Sequence, residues 1–129
     1  MRTTAGAPAL TVMELRPGES LTAWRIVRSA YGSELLSSFR SNYELLREPR
    51  GREQGSAIVH LGISMFVDKR AAQGAARRFP KLGAYVARVD LRHGYGFNFA
   101  RTGQPTHLTI WGHPSKLHRA VTTIERLAD

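Results

Sequence analysis

GSAIVHLGISMFVDKRAAQGAARRFPKLGAYVARVDL, residues Gly55 to Leu91, carries the clearest succession of structural signals in the chain. Ala57 to Ile63 is almost wholly apolar, as in a strand covered on both faces. Ser64 stands where that run gives way to a turn, and Asp68 suits the N-cap of a helix. Ala71, Ala72, Ala75, Ala76 and Phe79 then recur at helical spacing and make a face of small residues, so the helix can lie close to a sheet. Lys69, Arg70, Arg77 and Arg78 supply its basic outer face. Pro80 stops the helix and Gly83 completes a tight break. Ala84 to Leu91 reads as a second strand, with Tyr85, Ala87, Val89 and Leu91 on one face and Arg88 and Asp90 on the other.

Upstream, Leu10 to Leu15 alternates loosely and suits a short edge strand, and Arg16-Pro17-Gly18 is a turn signal. SLTAWRIV, Ser20 to Val27, predicts a strand that puts Arg25 on one face with Leu21, Ala23 and Val27. An arginine so placed needs a carboxylate or phosphate partner, or a route for its head group to water. Ser33 is a plausible N-cap for a helix reaching about Arg47, with Leu35, Leu36, Phe39, Tyr43 and Leu46 as its core stripe. Glu48 to Gln54, EPRGREQ, is a charged loop. Downstream come a glycine turn at His93–Gly96, a short strand at Phe97–Ala100, a loop at Arg101–Pro105 and a strand at Thr106–Trp111. In that strand Leu108 and Ile110 face one way and His107, Thr109 and Trp111 the other. A final helix buries Leu117, Ala120, Val121, Ile124, Leu127 and Ala128. The order β, β, α, β, α, β, β, β, α describes one α+β domain over residues 1–129, with about three helices, mixed or antiparallel short strands, and a frayed tail at residues 1–8.

The bulk numbers narrow the function classes. The chain has 129 residues, enough for a core without staples, and no cysteine, which excludes disulfides and thiolate metal sites. No run approaches the roughly 20 apolar residues of a membrane span, and the N-terminus lacks a signal-peptide core, so the expected compartment is the cytoplasm. Nineteen Lys and Arg against ten Asp and Glu give a net charge of +9. That balance suits a phosphate-bearing ligand, a nucleic acid or an acidic protein partner, and equally a plain arginine-rich surface.

Ser64 is the hydroxyl best placed for chemistry, but Gly62-Ile63-Ser64-Met65-Phe66 puts a bulky residue where a nucleophile elbow needs a small one. The five histidines (His60, His93, His107, His113 and His118) fit no familiar metal-ligand spacing. His60 reads as a core imidazole. His93 and His107 flank glycine loops and could serve as the acid and base of a metal-independent ribonuclease, with arginines holding phosphate. No Walker A or dinucleotide-binding glycine pattern is present.

The spacing of AWRIVR (residues 23–28) and HLGISMFVDKRAAQGAARRFPKLGAYVARVDL (residues 60–91) resembles the ADP-ribosyltransferase-like fold, including its toxin-type and RES-domain-like members. The middle third of the chain carries most of that resemblance, and SFRSNYELLRE (residues 38–48) adds a shorter one. It implies a split sheet and NAD+ as substrate. Arg25 would hold the pyrophosphate, Ser64 would brace the nicotinamide ribose, and Tyr43 or Phe66 would stack the nicotinamide. The family's third signature is a glutamate just before a strand equivalent to LTIW (residues 108–111), and here Gln104, Thr106 and His107 occupy that region. The resemblance thus implies an NAD+-binding transferase or NAD+-cleaving domain, divergent or inactive, with His107 in the third role. Two alternatives stand beside it. One is a basic nucleic-acid-binding or ribonuclease-like protein using Lys69, Arg70, Arg77 and Arg78, and the other is a non-catalytic interaction module.

Overall fold

A computed structural model describes residues 10–49 and 56–127. Its centre is a six-stranded sheet made of β1 (Ser20–Val27), β2 (Ile63–Phe66), β3 (Tyr85–Arg92), β4 (Phe97–Arg101), β5 (His107–Gly112) and β6 (Val121–Arg126). The strands lie in the order β4-β5-β2-β1-β3-β6, and every pairing is antiparallel. Four helices surround it among the described residues: α1 (Gly32–Ser37), α2 (Ala57–Leu61), α3 (Lys69–Arg78) and α4 (Pro114–Arg119). The α+β expectation holds, with one continuous antiparallel sheet in place of a mixed or split one. The expected tail at residues 1–8 lies outside the described residues, as does the expected loop beyond Pro49.

Period-two alternation assigns the two faces of the sheet. Ala23, Val27, Met65, Ala87, Val89, Leu91, Leu108 and Ile110 form the larger core with Leu35 and Phe39 around α1 and Leu117 and Ala120 around α4. On the opposite face Ile26 and Val86 pack against Ala72, Ala75 and Ala76 of α3, with Trp24 and Phe66 at the margin. The alanine face of α3 therefore does what its spacing requires, and Asp68 caps it by accepting from the Ala71 N–H at 2.7 Å. Phe79 departs from the expectation. It is 59% exposed, because the helix ends at Arg78 and a single 3-10 turn, Pro80–Leu82, turns the chain away. Gly83 follows at φ 152°, and a Cβ there would lie 2.3 Å from the Val27 carbonyl oxygen, so the chain passes β1 too closely for any side chain.

Four elements differ from the sequence expectation. Ala57–Leu61 is a helix, not a strand, since Ser56 caps it through the Val59 N–H and Gly62 ends it. The strand that follows is only Ile63–Phe66, and it includes Ser64. The helix expected to reach Arg47 stops at Ser37, and a Ser41–Glu44 reciprocal cap holds the next turn, with Ser41 N–H donating to Glu44 and Glu44 N–H to Ser41 Oγ. The last helix ends at Arg119, after which Val121–Arg126 adds β6 to the edge of the sheet beside β3. Leu10–Leu15 contributes one bridge, Met13 to Phe99, and no longer strand.

Asp90 ties three strands together. It accepts from Thr22 Oγ1 of β1 at 2.8 Å, from Thr122 Oγ1 of β6 at 2.6 Å, and from Arg88 Nε at 3.2 Å. The Thr122 bond is the largest influence holding its carboxyl below the ordinary value of 3.8; Thr22 and Arg88 add to it, and partial burial opposes them. A lowered folded value means that ionised Asp90 stabilises the fold above about 3.8, and that this contribution fades as pH falls through the folded value. Asp90→Asn is expected to cost about 1–2 kcal/mol at pH 7, since Asp90 is partly solvated. Urea unfolding of both proteins should show the difference shrinking toward zero below the ordinary carboxylate range. A gap unchanged in acid would mean that the charge of Asp90 contributes nothing.

Candidate functional site

The centre of the sheet is where β1 and β2 meet, and they share a single register pair, Trp24 with Phe66. Beyond that pair Arg25 replaces the ladder. Its Nε donates to the Ser38 carbonyl just after α1, and one Nη donates to the Ser64 carbonyl of β2, each at 2.6 Å. These charge-assisted bonds satisfy one carbonyl at the end of α1 and one on β2. Arg25 is thus a clamp between a strand and a helix end, with two of its donors committed to the backbone.

Ser64 lies on the other face. Its alternation with Met65 and its pairing with Thr109 place the side chain beside β5, where Ser64 Oγ is hydrogen-bonded to His107 Nε2. His107 is 1% exposed. Its Nδ1 lies 3.0 Å from the Thr102 carbonyl and 2.9 Å from Thr102 Oγ1, and that hydroxyl is 2.8 Å from Thr109 Oγ1. A carbonyl can only accept, so the network assigns the proton of neutral His107 to Nδ1. In a neutral ring Nε2 is then the acceptor and the Ser64 hydroxyl the donor, so that bond does not use the lone pairs of Ser64 Oγ. Phe66 presses against the imidazole edge-on, with ring centroids 5.4 Å apart.

The chain folds this way locally for readable reasons. The loop between β4 and β5 is closed by Thr102 N–H to the His107 carbonyl and His107 N–H to the Gln104 carbonyl, which brings Thr102 under the ring. Gly62 gives the close approach at the start of β2: a Cβ there would lie 2.4 Å from Thr109 Cγ2. Trp111 Nε1 donates to the Ile58 carbonyl and holds α2 over the same side of β5.

Of the five residues singled out from sequence, four are joined directly or through one partner: Arg25 to the Ser64 backbone, Ser64 to His107, and His107 to Phe66. Tyr43 is joined instead to His60 of α2, edge-on at 5.8 Å, and is 56% exposed. His60, expected in a strand core, is only half-buried. Thr102 and Ser38 were not foreseen. His107 and Thr109 sharing a face was legible, whereas Thr102 reaches the ring through a loop whose path no periodicity encodes. The four α3 cations are divided: Lys69 forms an ion pair with Glu125, while Arg70, Arg77 and Arg78 are exposed. His93 lies at the far end of the β4–β5 pair from His107 and bonds the Leu15 carbonyl, so the two histidines do not face one substrate. The described acids that follow Ser64 in the chain are engaged elsewhere: Asp68 caps α3, Asp90 bonds Thr22 and Thr122, and Glu125 pairs with Lys69. No protein-family model, curated protein or solved structure matches the chain.

Proposed function

We propose that this chain is an NAD+-binding domain of the ADP-ribosyltransferase-like type, divergent at its third motif. One observation carries the reading. Ser64 and His107, far apart in sequence and each nominated by the resemblance, are hydrogen-bonded side chain to side chain, and Arg25 holds the Ser64 backbone carbonyl from the opposite face of the sheet. Ser64 would accept a hydrogen bond from a hydroxyl of the nicotinamide ribose, using lone pairs that its own donation to His107 does not engage. That donation increases electron density on Ser64 Oγ, and the effect passes to the ribose as positive charge develops there. Arg25 fixes the strand that carries Ser64, acting from the opposite face of the sheet through its bonds to the Ser38 and Ser64 carbonyls. Phe66, already against the imidazole, is the aromatic nearest this chemistry, and Tyr43 would join only from the α2 side.

Cleavage of the glycosidic bond passes through a cationic, oxocarbenium-like transition state, which a carboxylate normally offsets. An imidazole, neutral or protonated, has no negative charge to offer, so the reading is binding with slow cleavage. Isothermal calorimetry should detect NAD+, and NAD+ should raise the unfolding midpoint. Ser64→Ala, checked for folding by circular dichroism, is expected to weaken NAD+ about tenfold, the equivalent of one hydrogen bond. Absence of both heat and midpoint shift at millimolar NAD+ would sink the reading.

A further inference from the structure

A second site lies away from Ser64 and His107, where the β3–β4 turn meets α4. Gly94, Tyr95, Lys116, Arg119 and Ala120 line a hollow of about 350 Å³, the lower end of the size range of small-molecule sites. An adjoining hollow of about 220 Å³ shares Gly94 and adds Arg92 and His93, with Glu14 as its opposing charge. Along β5, Gly112, which pairs with Phe97 beside this turn, is five residues from His107, roughly 17 Å of strand. Helix α4 also packs on the Leu108–Ile110 face of the sheet, opposite the Ser64 side chain. The two sites are therefore separate.

The composition of the hollow is specific. The ion pairs among the described residues are Lys69–Glu125 and Arg88–Asp90, so Lys116, Arg119 and Arg92 have no carboxylate partner there. The ammonium of Lys116 lies beside the turn, 3.2 Å from where a Cβ on Gly96 would stand. Gly94 and Gly96 both have positive φ, 93° and 77°, so the turn presents bare backbone between the cations. Tyr95, 38% exposed, offers a ring at the same wall. Two cations, an aromatic side chain and a cavity of this size are the elements that recognise one nucleotide.

We propose that this hollow binds a nucleoside phosphate, with Lys116 and Arg119 on the phosphate and Tyr95 stacked on the base. The same chemistry is offered by a free mononucleotide and by one nucleotide of a single strand, and the experiment separates them. Calorimetry with adenosine 5′-monophosphate and, in parallel, with a single-stranded oligoadenylate is run on the full chain and on Lys116→Glu/Arg119→Glu and Tyr95→Ala variants. Both variants lie at the surface and their folding is checked by circular dichroism. The charge variant is expected to lose affinity about tenfold or more. Tyr95→Ala should weaken the nucleotide while leaving weak inorganic phosphate binding unchanged. Tighter, steeply salt-dependent binding of the oligomer would identify a strand as the source, and equal affinity per site a free nucleotide. Binding of neither ligand, or binding that survives the charge variant but is lost in Ser64→Ala, overturns the proposal. Since Ser64→Ala leaves this hollow untouched, failure of NAD+ binding elsewhere would not imitate failure here.

Discussion

Arg25→Met is expected to lower the free energy of unfolding by about 3 kcal/mol, from the loss of two charge-assisted hydrogen bonds that leaves two backbone carbonyls without their donor. The methionine keeps most of the apolar stem, so lost packing contributes little. The Ser64 carbonyl then lies at a seam where β1 and β2 share the single register pair Trp24–Phe66, and the Ser38 carbonyl at the end of α1 loses its link to β1. Arg25→Lys is the informative control. Its ammonium keeps the charge but lacks the planar fork, so it can reach one carbonyl well and not both, and should recover less than half of the loss. Urea unfolding followed by circular dichroism reads both values. A methionine variant as stable as the parent would show that the clamp contributes nothing. The experiment also bears on NAD+, because an arginine that fastens β2 affects Ser64 whether or not it touches phosphate.

The parts of this molecule legible in its sequence are those where one signal acts alone. Strand β3 alternates cleanly, and Ala87, Val89 and Leu91 are buried as their spacing requires while Arg88 and Asp90 share the other face. Helix α3 has an unambiguous cap and an unambiguous small-residue face. Legibility failed where two signals compete. Ala57–Leu61 is apolar enough for a buried strand, yet Ser56 and Gly62 bracket it at the spacing of one short helix. Leu117, Ala120, Val121, Ile124 and Leu127 repeat at helical spacing, but Val-Thr-Thr-Ile (residues 121–124) is β-branched throughout, and an open edge on β3 was available to pair it. Tertiary pairing decided the matter. At the site, the face shared by His107 and Thr109 followed from alternation, and the nomination of Arg25, Ser64 and His107 came from the resemblance. Their connection through a carbonyl and a loop threonine did not follow from either, because such bonds depend on where β1 and β2 separate and on the path of residues 102–106.

His107→Ala is expected to cost about 3–4 kcal/mol, the combined result of a cavity under Phe66 and unpaired groups on Thr102 and Ser64. A double-mutant cycle apportions that loss. If Ser64 and His107 act as one hydrogen-bonded unit, Ser64→Ala on the His107→Ala background should cost about 1 kcal/mol less than it does alone. Strict additivity would mean that their contact carries no energy. Nitrogen-15 spectra of the imidazole provide the second measurement, and it addresses function directly. The donor rule at the Thr102 carbonyl requires a proton on Nδ1, and in a neutral ring Nε2 is then the acceptor. Only that tautomer makes Ser64 a donor to His107 and leaves its lone pairs available to a ribose hydroxyl. A ring protonated on Nε2 would reverse the bond and free the Ser64 hydroxyl from donating to His107, which would remove the acceptor role proposed for Ser64.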